Sequence, residues 1–459
     1  MKLIVINGSP KAENSITLQH IRYFQQKHPE HSFEIFHIGK KTALFEKQPY
    51  LIHNIAGKIK QADALIWSFP VYYALIPSQH KRFIELLFEQ CGRDFFKGTY
   101  TTSFTTSINF FDHTAHNYMQ GICEDLGFMY VDSFSAHMDD FFAADERKKM
   151  DTFFNWFINI VNKKLPIPKK YNLHPGQLIS YTPDFNAATD KHPAASKTLL
   201  LTDEQETDGN LSAMTQMFAH ITDGTVVVKN IHDVDIKHGC LGCCTCGYDN
   251  ICKQKDGYTR FYNDTLKTAD TIIIAGSIKD HYLSAHWKKF FDRSFFNGHV
   301  PVLKGKRLGF IISGPLSHLQ NLREILEAMS QMWHMKSLDI VTDEYATSTK
   351  ITEQLGSFAQ KLAISEQTGL DFGARFYQVG GGKIFRDFIF NMTAVFRADH
   401  IFYKKMGMYH TFPQRQLKKR FRNALFSLFV AIKPIRKKIH QKFIPEMVAP
   451  YINVLKKKI

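Results

Sequence analysis

The sequence predicts an α/β protein built from two consecutive, doubly wound parallel sheets of five strands each, followed by a basic helical C-terminal region. Three observations carry this. Short apolar runs rich in β-branched residues alternate with longer amphipathic segments, the pattern of parallel strands covered by helices. That alternation occurs twice in the same order. The cations then crowd into the end of the chain: residues 372–459 hold 19 Lys and Arg against 3 Asp and Glu, a balance of +16 in a chain whose net charge is +15.

In the first unit the strands read as Lys2 to Asn7, Ser32 to Ile38, Ala64 to Phe69, Tyr100 to Ser107 and Met129 to Ser135, with a closing helix near Glu146 to Val161. The second repeats the order with Thr198 to Thr202, Thr225 to Ile231, Thr271 to Ala275, Arg307 to Ser313 and Ser337 to Thr342, then a helix near Ile351 to Ser365. Residues repeat too. Lys81-Arg82-Phe83-Ile84-Glu85 matches Lys288-Lys289-Phe290-Phe291-Asp292, each following a third strand. Between the units, Lys164 to Ser196 carries five prolines and little periodicity, as a linker does. The expected organisation is therefore 1–163, a linker at 164–196, a second unit at 197–370 and a basic amphipathic region at 371–459.

Composition narrows the class. With 459 residues, 44% of them hydrophobic and 40 of them Phe, the chain fills several cores and is not a disordered one. Met1 to Gly8 lacks the apolar length of a signal peptide and reads as a first strand, and no run reaches the 18 or so apolar residues of a membrane span. A cytoplasmic protein is expected. Five of the seven cysteines fall between Cys240 and Cys252; Cys91 and Cys123 stand alone in helical stretches as packing residues.

The first strand runs directly into Asn7-Gly8-Ser9-Pro10-Lys11-Ala12-Glu13-Asn14-Ser15-Ile16-Thr17, where a helix begins. A loop entering a helix offers unpaired N–H groups and the positive end of the dipole to an anion. Ser9, Asn14, Ser15 and Thr17 add short polar side chains, and Lys11 adds a charge. Asn14 and Ser15 could equally serve only as helix caps. The context is Trp67-Ser68-Phe69-Pro70-Val71-Tyr72-Tyr73 at the carboxyl end of the third strand, where open parallel sheets place their ligands.

Together these two loops resemble the NAD(P)H-dependent FMN reductase family of the flavodoxin-like fold, whose members carry Gly-Ser-Pro-Arg/Lys followed by Asn-Ser or Asn-Thr, and then Ser-Pro-Val-Tyr. The resemblance covers Met1 to about Val161. It implies that Ser9, Lys11, Asn14, Ser15 and Thr17 hold the FMN phosphate, that Pro70, Val71, Tyr72 and Tyr73 line the isoalloxazine ring, and that the segment holding Thr106 and Ser107 forms a third flavin loop. Phe69, inserted between Ser68 and Pro70, departs from the pattern. It further implies NAD(P)H as electron donor, with a quinone, flavin, metal or protein as acceptor. FMN carries the electron and hydride chemistry, so no catalytic acid or nucleophile is assigned.

The second unit differs. Its first strand leads into Asp203, Glu204, Glu206 and Asp208, whose charge opposes a phosphate, so this unit is expected to have lost its flavin, with Asn210 and Ser212 as helix-start residues. After its second strand, Cys240, Cys243, Cys246 and Cys252 give C-x2-C-x2-C-x5-C. The first three have bacterial-ferredoxin spacing, and zinc or disulfides explain the set less well. The segment resembles the cysteine motif of iron–sulfur flavoproteins, which implies a 4Fe–4S cluster on those four residues. The other reading, a tight loop of reduced thiols packing the two units, stays open. Relatives commonly form homodimers in which one protomer closes the other's flavin site, so unit two is expected to act as the first unit's partner; homo-oligomers of the whole chain stay open.

In the tail, Gly380-Gly381-Gly382-Lys383 lacks the spacing and the following Ser or Thr of a nucleotide loop. From Gln416 to Lys442, cations surround the apolar run Ala424 to Ile432, and two readings stand: docking on the body, or peripheral contact with an anionic membrane face. Nothing resembles a nucleic-acid-binding motif. The rival to a reductase is a non-catalytic flavin or iron–sulfur electron carrier or redox sensor at the membrane surface.

Overall fold

A computed structural model describes residues 1–171, 178–205, 209–369, 373–412 and 416–456. In the first unit the elements run β1 (Lys2–Asn7), α1 (Ile16–Lys27), β2 (Ser32–His37), α2 (Thr42–Lys47), α3 (Tyr50–Lys60), β3 (Ala64–Pro70), α4 (Ser78–Cys91), β4 (Tyr100–Ser107), α5 (Asp112–Asp125), β5 (Met129–His137) and α6 (Ala144–Asn162). The second unit gives β6 (Thr198–Thr202), α7 (Gly209–Ile221), β7 (Val226–Asn230), α8 (Gly257–Asp264), β8 (Thr271–Ser277), α9 (Ala285–Arg293), β9 (Arg307–Ser313), α10 (Gln320–Met332), β10 (Lys336–Thr342) and α11 (Ser348–Thr368). The tail folds as α12 (Phe376–Phe390), α13 (Arg397–Lys405), α14 (Leu417–Ala431) and α15 (Lys433–Lys456).

All strand pairs within the two sheets are parallel, in the orders β2-β1-β3-β4-β5 and β10-β9-β8-β6-β7. These are one topology used twice. The period of two in β1 sorts its residues between layers: Ile4 and Ile6 face the core between the sheets, and Leu3 and Val5 face α1 and α6. Leu199 and Leu201 join the same central core from the second sheet, while Leu200 faces α7 and α11. The two units thus share one continuous apolar layer.

At its centre α4 packs on α9, and the repeated sequence makes the contact reciprocal. Ser78 N donates to Asp292 Oδ2 (2.8 Å) and Ala285 N donates to Glu85 Oε1 (2.7 Å). Lys81 Nζ donates to the Lys279 carbonyl (3.0 Å), and Lys288 Nζ to the Tyr72 carbonyl (2.8 Å). Each position meets the counterpart of its own partner, the signature of a two-fold interface inside one chain. Lys81 pairs with Glu85, and Lys288 with Asp292, both away from water. Burial raises Asp292 and lowers Lys288, so in that pair desolvation wins; Glu85 is also pushed up by burial, but Lys81 and Lys279 attract it strongly enough to hold it below the usual carboxylate range.

Beyond the segment 416–442, for which two readings stand, the end of the tail packs on the body. Val448, Tyr451 and Leu455 of α15 enter the core beside α1, and the Tyr451 hydroxyl donates to the Met138 carbonyl (2.5 Å). The triple glycine lies inside α12, where a Cβ on Gly381 would fall 2.5 Å from the Phe110 ring, so the missing side chain lets the helix close on the β4–α5 loop. Cys123 is buried as expected, whereas Cys91, at the end of α4, is partly exposed. Among the described residues no helix is long and apolar enough to cross a membrane.

Candidate functional site

The carboxyl ends of β1, β3 and β4 lie side by side: Asn7 registers with Ser68, and Pro70 with Thr106. That register brings the three predicted loops together. Asn7 organises the first of them, accepting from Ser9 N (3.1 Å) and donating to the Ala12 carbonyl (3.1 Å). Ser9 Oγ accepts from Lys11 N (3.2 Å), and Ser15 caps α1 by accepting from Leu18 N (3.4 Å). Thr17 and Thr106 meet hydroxyl to hydroxyl at 2.6 Å, both buried, so the helix start is tied to the third loop. Ser107 Oγ accepts from Asn109 N in the turn beyond. The one carboxylate of the first loop, Glu13, is turned away to Arg22 and to His37 (2.7 Å). Lys11 and Asn14 flank the start of α1 in the same loop, and Lys11 Cε lies beside Gly242.

The β3–α4 loop turns through Tyr73 and Ala74, both with positive φ (43° and 59°), closed by Tyr72 and Leu75; Asp280 and His281 (50° and 59°) form the same turn in unit two, closed by Lys279 and Tyr282. Side chains outside the glycine family hold this conformation only where the surroundings impose it. Here they do. Tyr73 is carried into unit two, edge-on to Phe295 and at 3.4 Å from the Ser294 hydroxyl, which donates to it. Tyr72 keeps its hydroxyl buried with no hydrogen-bond partner, and burial holds its pKa well above the ordinary tyrosine value. Phe69, the departure from the family pattern, is a buried β3 residue against His80 and His116.

Unit two supplies the lid of this region through its cysteine loop. At Gly242 (φ +61°) a Cβ would lie 1.9 Å from Tyr72 Oη and 2.9 Å from Lys11 Cε, so the loop's backbone is laid directly on two residues of the first unit's site. Arg293 fixes the base of the loop by a bidentate pair with Asp256 (2.5 and 2.8 Å) and a bond to the His238 carbonyl (3.1 Å). The same arginine lies 3.9 Å from Cys252 Sγ. Cys240 accepts from Gly242 N (3.4 Å), Cys243 accepts from the Thr245 hydroxyl (3.4 Å) and Cys244 donates to the Gly242 carbonyl (3.6 Å). Cys246 lies 3.2 Å from His299 Nε2, whose Nδ1 is 2.8 Å from Asp399 of α13.

Burial pushes the Cys240 thiol up to about 12 and Cys244 and Cys246 upward as well, so these are protonated thiols at neutral pH. Each sulfur has a different neighbour. Among the described residues no three His, Cys, Asp or Glu side chains converge to hold a metal ion. The 4Fe–4S ligand set expected from the spacing of Cys240, Cys243, Cys246 and Cys252 is thus not shown in this arrangement, in which the loop's thiols are held by hydrogen bonds.

At the corresponding start of unit two the described acidic residues are engaged by hydroxyl groups. Asp203 accepts from the Ser284 hydroxyl and Glu204 from the Thr215 hydroxyl (3.0 Å). Glu206 and Asp208 lie outside the described residues. Asn210 binds the linker, accepting from Tyr181 N and donating to the Ile179 carbonyl.

A doubly wound parallel sheet whose loops meet at the carboxyl edge of the strands, here present twice, defines a duplicated flavodoxin-like α/β fold. Residues 1–141 and 197–347 each match the family of NADPH-dependent FMN reductases, and the chain belongs to that family. The duplication and the class of NAD(P)H-dependent FMN oxidoreductases follow from the double match. Among solved structures it is similar to FerB, a flavoenzyme NAD(P)H:(acceptor) oxidoreductase from Paracoccus denitrificans, at 19% identity over 36% of this chain and 98% of that one, TM-score 0.29. It is also similar to an FMN-dependent NADH-azoreductase from Bacillus anthracis in complex with FMN, at 14% identity over 36% and 97% of the two chains, TM-score 0.26. No curated protein matches the chain.

The first unit's residues fit FMN. Lys11, Asn14 and the start of α1 make a donor set for a phosphate dianion, and the unpartnered Tyr72 hydroxyl is a buried polar atom awaiting a partner beside it. Asn7, Gly242, Arg293, His299 and Asp399 are the contributors that sequence reading missed. Only Asn7, a turn-forming residue at a strand end, carried a local signal.

Proposed function

We propose that the first unit alone holds FMN and that the protein reduces a small acceptor, a quinone or a free flavin, at the expense of NAD(P)H. In this reading Ser9, Lys11, Asn14, Ser15 and Thr17 hold the phosphate, and Pro70, Val71, Tyr72, Thr106 and Ser107 flank the ring. Tyr73 anchors the turn in unit two. When bound, FMN supplies hydride acceptance and electron delivery. The chain's own part is to neutralise the phosphate with Lys11 and the α1 dipole, to present N–H and hydroxyl donors at the loop edges, and to exclude water with the Gly242 loop. One observation carries the proposal: a loop of unit two rests on Lys11 and Tyr72, so the second unit completes the first unit's site. The test is FMN titration of apoprotein followed by steady-state NADH and NADPH oxidation with a quinone. Stoichiometry near one FMN per chain with turnover supports the reading; two FMN per chain, or none, refutes it.

The compact thiol set favours a second reading, in which Cys240, Cys243, Cys246 and Cys252 hold a 4Fe–4S group and the protein carries electrons between protein partners. This requires the loop to rearrange on loading. Iron and sulfide analysis of anaerobically purified protein decides: about four iron per chain supports it, and FMN without iron retires it.

A further inference from the structure

Helix α14 presents its polar side to the protein and its apolar side to solvent. Toward the body it sets Asn423, which donates to the Phe390 carbonyl (3.1 Å), Ser427, and Val430, buried against Tyr248 and Ala394. On the opposite side, at helical spacing, run Leu417, Phe421, Leu425, Leu428 and Ile432, with Leu417, Phe421 and Leu428 exposed by 72%, 74% and 68%. A helix that folds onto a globular body buries such a stripe. Among the described residues none covers it.

The charge around the stripe names the occupant. Lys418 and Arg422 border one edge and Arg420 the other, and the exposed Lys433, Lys437, Lys438 and Lys442 continue the field into α15. From Leu417 to Lys442 there are nine Lys and Arg and no Asp or Glu. A second copy docking stripe to stripe would oppose identical cationic rims. An anionic lipid surface offers hydrocarbon for the stripe and headgroup charge for the rim. At 15 residues the helix spans about 22 Å, shorter than a bilayer's apolar core, which suits a helix lying along the interface.

We propose that α14 is a membrane-surface docking helix, its apolar stripe seated among the acyl chains of an anionic leaflet and its cations among the headgroups. The proposal is independent of which acceptor the flavin site serves, because binding is read without turnover. The experiment is co-sedimentation of full-length protein with vesicles of phosphatidylcholine, and of phosphatidylcholine with about 30% phosphatidylglycerol. The pelleted fraction is expected to be about tenfold higher with the anionic vesicles and to fall as salt is raised. Phe421→Ser with Leu428→Ser should remove about nine-tenths of that binding at unchanged FMN content, and Lys418→Glu with Arg422→Glu should weaken it without touching the stripe. Wild-type protein that stays in the supernatant, or a serine variant that pellets like wild type, overturns the proposal. So does light scattering that shows a dimer converted to monomer by the serine substitutions, because the stripe would then be a contact between copies.

Discussion

Glu13 shows how one side chain sets the charge of a loop. Had its carboxylate faced the α1 N-terminus it would have opposed an anion there; instead it is paired with Arg22 and His37. Lys11→Ala removes a charged hydrogen bond of about 1.5–3 kcal/mol, so FMN affinity should fall about 10- to 100-fold in a fluorescence titration. Three buried histidines set the acid response. Burial lowers His20 and His116 to about 4 and His80 to about 3, against about 6.5 in an unfolded chain. Between those values the unfolded state binds more protons, so the stability these groups contribute is whole above about pH 6.5 and is lost as pH falls toward 4. His80 has no hydrogen-bond partner on either ring nitrogen, so His80→Leu deletes a proton site without breaking a ring hydrogen bond, at the cost of the ring's packing on Trp67 and Phe69. The slope of melting temperature against pH between 6.5 and 4 should become shallower in this variant; an unchanged slope would exclude His80 as a contributor.

Among elements, the α4–α9 contact concentrates the most charge in the least water. Removing one member of a buried pair strands the other, so Asp292→Ala should cost about 3–5 kcal/mol in denaturant unfolding, whereas Lys288→Met with Asp292→Leu should come within about 1–2 kcal/mol of wild type. If the single and double variants proved equally unstable, the pair would be contributing attraction beyond its own desolvation. Helix α12 is held differently. Its closeness to Phe110 depends on Gly381, and Gly381→Val should lift α12 off the β4–α5 loop, seen as faster amide exchange in α12 at preserved exchange protection of β1 and β3.

For the whole molecule the consequence of duplication is division of labour. The reciprocal contacts of α4 and α9 preserve a two-fold relation, yet each unit's loops have diverged: one starts with Gly8-Ser9-Pro10-Lys11, the other places Asp203 and Glu204 there and extends a thiol loop over its neighbour. Coupling across the interface predicts that a change in unit two alters a ligand bound to unit one. Gly242→Val would drive a side chain into Tyr72 and is expected to raise the FMN dissociation rate about tenfold, measured by dilution of the loaded protein. An unchanged rate would mean that the loop rests on the site without closing it.

The strands, their order of appearance, the duplication and the helix start after the first strand were legible because each rests on local periodicity or on a short run of residues: Leu3-Ile4-Val5-Ile6 announces a doubly buried strand wherever it occurs, and Ser15 at a helix start announces a cap. Strand ends were misjudged by a residue or two, since Pro70 and His137 extend their strands only through partners far along the chain. What the thiols face was illegible for the same reason. Cys246 meets His299 and, through it, Asp399, which lies 153 residues further along the chain, and the direction of each sulfur follows from packing that spacing does not encode. The amino-acid order by itself determined the two flavodoxin-like units, the flavin family and a basic amphipathic end. Only the tertiary structure decided that unit two covers unit one's site, that α12, α13 and α15 fold back on the body, and that α14 turns its apolar side outward, because these depend on which surfaces meet once the cores have closed.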